Sequence, residues 1–466
     1  MKLRQKIGAA LAVAAIVSPL GVTAVRAGTA IDGTGATFPA NMYDICAAQY
    51  NRSSLANPDK DTVAYVSPTG SGAGKTAFTG QTKVWAGTDS LYTSGAPTFS
   101  YVYVPLISGA ISVMYRLDGV TPAGSQVRLS PTTVGKIFAG QIKTWNDPAI
   151  VADNTGSTIK AVTKVTKKGV TVSVAKSGTK VKFTVTGTAA ALKTFKGKMV
   201  KISRTVTSGS STTTSDVYNK ALTAKGAASF AYQSGASYAV KVGTTSLGSV
   251  SVDDTVASVT LTLPATPIKV AYRSGTSGTT NNFTNFLNKT VSSIWTNTAN
   301  DSFTTAFPGG SSAVPTDGTF QAGTGSDGVA NYVKDNNGAI TYTEASYVEE
   351  RKTASIQSAA IKNNAGVYVS PSPAATGAFY AEAVVNADGS VTPDYNVAAA
   401  DAYLINAISY GLGATAASTT NTAVRNWFTY VLKTCGPASA ATAYYAPIAG
   451  SLLTKALAQA AKVGAG

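Results

Sequence analysis

The sequence predicts an α/β protein interrupted by an inserted all-β module, and three observations carry that prediction. Outside residues 155–266, short apolar strands alternate with helical stretches at 132–139, 282–287, 329–334 and 424–432, the pattern of strand–helix units. Residues 155–266 break the pattern. Runs such as Thr-Val-Ser-Val-Ala-Lys from Thr171, Val-Lys-Phe-Thr-Val-Thr from Val181 and Val-Ala-Ser-Val-Thr-Leu from Val256 alternate β-branched and polar residues between Gly and Ser, which is strand periodicity. Charge marks the same segment: residues 155–267 hold 15 Lys plus Arg and 3 Asp plus Glu, so +12 of the chain's net +16 lies there.

The flanking α/β portions have the composition to fold. Of 466 residues 44% are hydrophobic and 13% charged, enough chain and apolar content for two or three packed domains. The basic segment has few aromatic rings, so stacking on bases is not expected and nucleic acid is not an expected partner. Its charge suits either a solvated spacer or contact with anionic cell-wall polymer.

The chain has no His. Ser-His-Asp and Cys-His nucleophiles are therefore excluded, as are His-based metal sites; no catalytic residue, metal or cofactor is expected. Cys46 and Cys435 are too few for a structural zinc site and read as one candidate disulfide or as two buried thiols. Residues 1–27 begin with Lys2, Arg4 and Lys6, continue with an apolar run over 7–17, and end in small residues around Ala27. That order is the pattern of a cleaved secretion signal, with an uncleaved anchor as the alternative. No Cys closely follows the apolar run, so a lipid anchor is not expected.

Three loops have the make-up of an anion site. Gly33-Thr34-Gly35-Ala36-Thr37-Phe38-Pro39 follows a short strand and leads into a helix over 40–50, with Pro39 suited to the first turn. Thr69-Gly70-Ser71-Gly72-Ala73-Gly74-Lys75-Thr76 also opens a helix. It nearly spells a P-loop but has Thr69 where that motif needs Gly; we read it as an anion loop with Ser71 as donor. The third loop, Arg273-Ser274-Gly275-Thr276-Ser277-Gly278-Thr279, joins the strand from Ile268 to a helix beginning near Asn281. Backbone N–H groups at such strand-to-helix turns point at an anion, and Arg273 adds a forked cation matched to an oxyanion.

Asp89, at the end of a strand in Val84-Trp85-Ala86-Gly87-Thr88-Asp89-Ser90, is a carboxylate in an otherwise donor-rich set. It reads either as a helix N-cap or as the acceptor of a proton carried by the anion. Phosphate carries such a proton near neutral pH and sulfate does not.

With these residues in place the chain resembles the phosphate-binding proteins that serve high-affinity phosphate ABC transporters. The resemblance rests on Gly33–Pro39, Gly70–Ser71, Asp89, the stretch Ile137-Phe138-Ala139-Gly140-Gln141-Ile142-Lys143-Thr144-Trp145-Asn146-Asp147-Pro148, and Gly325-Ser326-Asp327-Gly328-Val329. It implies a two-lobe, periplasmic-binding-protein-like (type II) fold closing on its ligand. Lobe 1 would comprise 28–106 plus 363–466 and lobe 2 107–154 plus 267–362, with 155–266 inserted. It further implies that Thr37, Phe38, Ser71, Ser277, Gly278 and Thr279 donate to phosphate, that Arg273 pairs with its charge and that Asp89 accepts its proton. A membrane permease of an ABC transporter would be the partner and the location would be extracytoplasmic. In one place the chain departs from the family: Gly275-Thr276 stands where the family has Asp-Gly, so the carboxylate beside the Arg is missing. Two other readings keep the same scaffold, a secreted phosphatase and a surface or cell-wall-associated protein.

Overall fold

A computed structural model describes residues 28–156, 164–167, 170–177, 180–187, 189–208, 211–221, 226–231, 236–251, 260–381 and 383–466. The secretion-signal expectation at 1–27 lies outside them. The organising element is the strand Tyr101–Arg116, sixteen residues long and buried at every position but the first and last. Its run Val102-Tyr103-Val104-Pro105-Leu106-Ile107 and beyond is apolar on both faces, as a strand covered on both sides must be.

Two sets of parallel strands meet on this spine. At one end Ala30–Gly35 pairs in parallel with Thr62–Tyr65 and Trp85–Thr88, and Asn406–Ala414 links them antiparallel to spine residues 101–110. At the other end Lys269–Arg273 pairs in parallel with Phe320–Gly323 and Ala339–Glu344, and the last of these runs antiparallel to spine residues 111–115. Asn406 faces Ala110 and Glu344 faces Ile111, and the spine lies between the two sets in the sheet, each flanking its own half of the spine from the opposite edge. This is the two-lobe α/β architecture, with lobe 1 carried by the first set and lobe 2 by the second. Helices predicted at 40–50, 132–139, 282–287 and 329–334 form over Ala40–Arg52, Pro131–Phe138, Gly278–Thr290 and Gly325–Asp335. The one predicted at 424–432 forms over Thr419–Tyr430 and passes into a π turn, Val431–Cys435. That turn brings Cys435 to Cys46 on the first helix, and the two form a disulfide.

The module has its own interior. Among the described residues it holds two antiparallel four-stranded sheets, ordered Ser211–Ala221, Met199–Ser208, Ala236–Val242, Thr245–Ser251 and Gly226–Ala231, Lys180–Gly187, Val170–Ser177, Lys164–Lys167. Val172, Val181, Phe183, Ile202, Tyr238 and Val240 form a core separate from that of the lobes. One helix, Ala189–Phe195, accompanies the strands, where Ala189-Ala190-Ala191-Leu192-Lys193 concentrates strong helix formers. The chain leaves and rejoins lobe 2 at one point: Leu261 N–H donates to the Asn154 carbonyl at 3.0 Å and Gly156 N–H to Thr260 Oγ1 at 3.1 Å. Asn154 is buried and its side chain clamps both the N–H and the carbonyl of Arg128. No helix among the described residues is long and apolar enough to cross a membrane.

Candidate anion-binding site

The three loops converge where the lobes meet. Gly35 has φ of +130°, and a Cβ there would stand 2.1 Å from the Gly87 carbonyl oxygen. Only glycine lets the first loop lie this close to the strand that carries Asp89. Thr37 follows, its hydroxyl 3.0 Å from Ser326 Oγ. Phe38 commits its buried ring to the core, edge-on to Tyr445, while Tyr445 Oη donates to the Phe38 carbonyl at 2.6 Å; what it can offer an anion is its main-chain N–H.

Ser71 is the first residue of the helix Ser71–Thr79. Its hydroxyl accepts from Asp89 N–H at 3.0 Å and donates to Asp89 Oδ2 at 3.5 Å. The expected N-cap role for Asp89 does not occur; Oδ1 is buried with no hydrogen-bond partner among the described residues. Burial pushes this carboxyl up to about 7, against the pull of Ser409 and of the Arg273 charge.

Arg273 ends the strand Lys269–Arg273 and is 2% exposed. Nη1 donates to Ser326 Oγ at 3.3 Å, while Nε and Nη2 have no partner among the described residues. Burial lowers its pKa, yet a guanidinium stays charged in any protein setting. The missing carboxylate at 275 is not replaced in place: a side chain added at Gly275 would meet nothing within 4 Å. Ser277 caps the helix Gly278–Thr290 by accepting from Thr280 N–H at 3.3 Å, which leaves its own O–H to donate. Gly278 is the point of closest approach, since a Cβ there would lie 2.4 Å from Ser71 Oγ and 2.7 Å from Asp89 Cβ. Thr279 Oγ1 is buried and unpartnered among the described residues. Thr37, Ser71, Asp89, Arg273, Ser277 and Thr279 are all buried, so this is an enclosed, wholly polar site.

Two of its members carry no assigned role in the sequence reading. Ser326 bridges Thr37 of lobe 1 and Arg273 of lobe 2. Its signal is present in the chain, because Gly323-Thr324-Gly325-Ser326 is a fourth Gly-rich turn opening a helix. Glu344, fully buried at the end of its strand, feels the charges of Arg273 and Asp89, and a single acidic residue closing the strand Ala339–Glu344 gave no signal of that. Lys75, the lysine of the near-P-loop, binds Asp301 across the lobes at 2.9 Å. Ser90 Oγ donates to the same Asp301 oxygen at 2.9 Å, and Ser277 N–H donates to the Asp301 carbonyl at 2.9 Å. A cavity of about 630 Å³ beside this latch is lined by residues that include Gly72, Lys75, Thr76, Thr276, Asn300 and Asp301; it borders the second and third loops but takes in none of Thr37, Ser71, Asp89, Arg273, Ser277 and Thr279.

The chain is similar to the phosphate-binding protein PstS of Xylella fastidiosa, 36% identical over 137 residues that make up 29% of this chain and 33% of that protein. It is likewise 36% identical to the PstS of Haemophilus influenzae over 113 residues, 24% of this chain and 30% of that one. These alignments span about a third of the length of the curated relatives. Among solved structures, a DING protein superposes with a TM-score of 0.54 at 19% identity, covering 92% of this chain and 93% of its own. A phosphate-binding protein from Stenotrophomonas maltophilia does so with a TM-score of 0.53 at 17% identity, covering 92% and 93%. Both share the two-lobe fold. The PBP superfamily domain matches residues 22–256 and 149–434, and with most of its length accounted for in this way the chain belongs to the PBP superfamily.

Proposed function

We propose that this protein binds inorganic phosphate outside the cytoplasm and delivers it to the membrane permease of an ABC transporter. One observation carries the reading. A buried cation with two unused donors, Arg273, and a buried carboxyl with one unused oxygen, Asp89, belong to the same closed site. A ligand completing both must accept from the guanidinium and donate to the carboxylate, as a protonated phosphate does and sulfate cannot. The names of the relatives and of the Stenotrophomonas structure support the same ligand. The basic and then apolar order of residues 1–27 supports export.

We take the site to be one of capture rather than turnover. Its members are hydroxyls, main-chain donors, one guanidinium and carboxyls, a set suited to holding an oxyanion. Exposed Lys180, Lys182, Lys193, Lys196 and Lys198 on the module support a second contact, with anionic cell-wall polymer. Unchanged wall retention after removal of residues 157–259 would end that part of the proposal.

Calorimetric titration of phosphate-stripped protein tests the main reading. Phosphate is expected to bind and sulfate to give no heat. In Asp89→Asn a neutral carboxamide that can donate as well as accept replaces the carboxylate, so phosphate weakens and sulfate gains, narrowing the preference by at least tenfold, about 1.4 kcal/mol. Absence of phosphate binding by the wild-type protein would falsify the proposal.

A further inference from the structure

We propose that the cavity beside the Lys75–Asp301 pair is a second binding site, for a small neutral polyhydroxylated molecule such as a sugar or cyclitol, and that its occupancy holds the lobes closed on the anion. The site itself stands apart from the phosphate reading; its effect on the anion rests on that reading.

The cavity, about 630 Å³, is of the size that takes a small ligand. It has a wall from each lobe. Lys75, Thr76 and Tyr92 come from lobe 1, the first two on the helix Ser71–Thr79. Thr276, Asn281 and Asp301 come from the loop and helix that follow the strand Lys269–Arg273 and from the chain beyond them. The seam between cavity and anion site is the contact of Gly72 with Thr276. Gly72 N–H donates to the Thr276 carbonyl at 3.2 Å, and a Cβ at Gly72 would stand 1.9 Å from Thr276 Oγ1. Thr276 belongs to the Gly275-Thr276 departure from the family pattern, so the cavity gains a hydroxyl at the position next to the missing carboxylate.

The lining selects its ligand by exclusion. Lys75 Nζ has three N–H groups, and they go to Ser90 Oγ at 3.0 Å, the Leu91 carbonyl at 3.0 Å and Asp301 Oδ2 at 2.9 Å. No donor of the ammonium is left for an anion, which would also face the Asp301 carboxylate. A cation gains little from a carboxylate already paired with an ammonium, and no group of side chains among the described residues could hold a metal ion. An apolar molecule would strip water from Thr76, Thr276 and Asn281, whose side chains make no hydrogen bond among the described residues, and return nothing. Asp301 Oδ1 is likewise without a partner among the described residues. A neutral hydroxyl both donates and accepts. A molecule carrying several of them therefore serves the threonines, the carboxamide and the free carboxylate oxygen together. Tyr92 adds an aromatic surface for the C–H side of such a ring, and its Oη fixes it by donating to the Lys75 carbonyl at 2.8 Å.

Because it touches both walls, the molecule binds best when the lobes are together, the arrangement that also gathers Thr37, Ser71 and Asp89 with Arg273, Ser277 and Thr279. Two ligands that favour one conformation tighten each other by the same factor.

Calorimetry of the phosphate-stripped protein with glucose, N-acetylglucosamine and myo-inositol, each to about 10 mM, with and without saturating phosphate, tests the proposal. At least one probe should bind, and about fivefold more tightly when phosphate is present. Glucuronate and glucosamine should bind about tenfold more weakly than the best neutral probe; tighter binding of either would overturn the assigned ligand class. Thr76→Trp, which fills the cavity from an exposed helix position, should abolish probe binding. Thr76→Val keeps the shape without the hydroxyl; it should weaken the probe about threefold and leave phosphate affinity measured without probe unchanged. Binding of no probe overturns the proposal, and so does probe binding that Thr76→Trp leaves intact. Equal probe affinity with and without phosphate, in a protein that binds phosphate, overturns the coupling. If the wild-type protein does not bind phosphate, the anion reading fails, while probe binding and its loss in Thr76→Trp still decide the cavity.

Discussion

The cleft and the β module treat charge in opposite ways. Around the cleft, Arg273, Asp89 and Glu344 are buried with unused hydrogen-bonding atoms. In the module the described interior is Val, Ile, Leu, Ala, Phe and Tyr, and the lysines whose side chains are described, such as Lys180, Lys182 and Lys201, stand at the surface. An apolar interior is complete by itself. A buried polar set with vacant donors and acceptors carries a desolvation cost that only a ligand offsets. The contrast separates a region built for stability from one built for recognition, and it makes their responses to mutation diverge.

The largest expected effect follows from removing the cation. Arg273→Met should weaken phosphate binding at least 100-fold, about 3 kcal/mol, measured by calorimetry. The melting temperature of the ligand-free protein should not fall, because a buried, incompletely paired charge is replaced by an apolar chain of similar length. A large drop would show that Arg273 holds the fold together as well. The converse substitution is Phe183→Ala in the module core, where the ring lies edge-on to Tyr238 at 5.2 Å. It should destabilise the module by about 3–5 kcal/mol, seen as an earlier unfolding transition, with phosphate affinity unchanged within twofold. The smallest effect is expected at the latch. Lys75→Met removes a cross-lobe ion pair whose side chains are only 13% and 15% exposed; dissociation of phosphate should quicken by about fivefold, roughly 1 kcal/mol, in stopped-flow release. An unchanged off-rate would mean that the Lys75–Asp301 pair does not hold the lobes closed.

The lobes and most loops were legible because their signals are local. Gly-rich turns between an apolar strand and a helix announce themselves in a few consecutive residues, as at Gly33–Pro39 and Arg273–Thr279. Groups brought in from a distance were not legible. Glu344 ends an ordinary buried strand, and nothing in Ala339-Ile340-Thr341-Tyr342-Thr343 foretells that it will lie buried within reach of the Arg273 and Asp89 charges. Lys75 belongs to the near-P-loop that the missing glycine at 69 had already ruled out, and its side chain reaches over to Asp301, 226 residues away, a pairing no local motif announces. Ser71 shows an intermediate case. The loop predicts a donor, but only the fold reveals that its hydroxyl is held by Asp89.

The neck at Asn154 and Leu261 has a consequence for the architecture as a whole. Because the chain leaves and returns through hydrogen-bonded neighbours, lobe 2 opens to the module through one narrow neck among the described residues. The entropy of closing such a connection grows only with the logarithm of its length, by about 0.6 kcal/mol for each doubling, and a folded domain that already holds its two ends together reduces even that. More than 100 residues can therefore be carried at this point for little more than the cost of a turn. The position behaves as a socket, open to exchange for another domain or for a short loop, while the strands on either side continue to aim Arg273 and Asp89 at the same ligand.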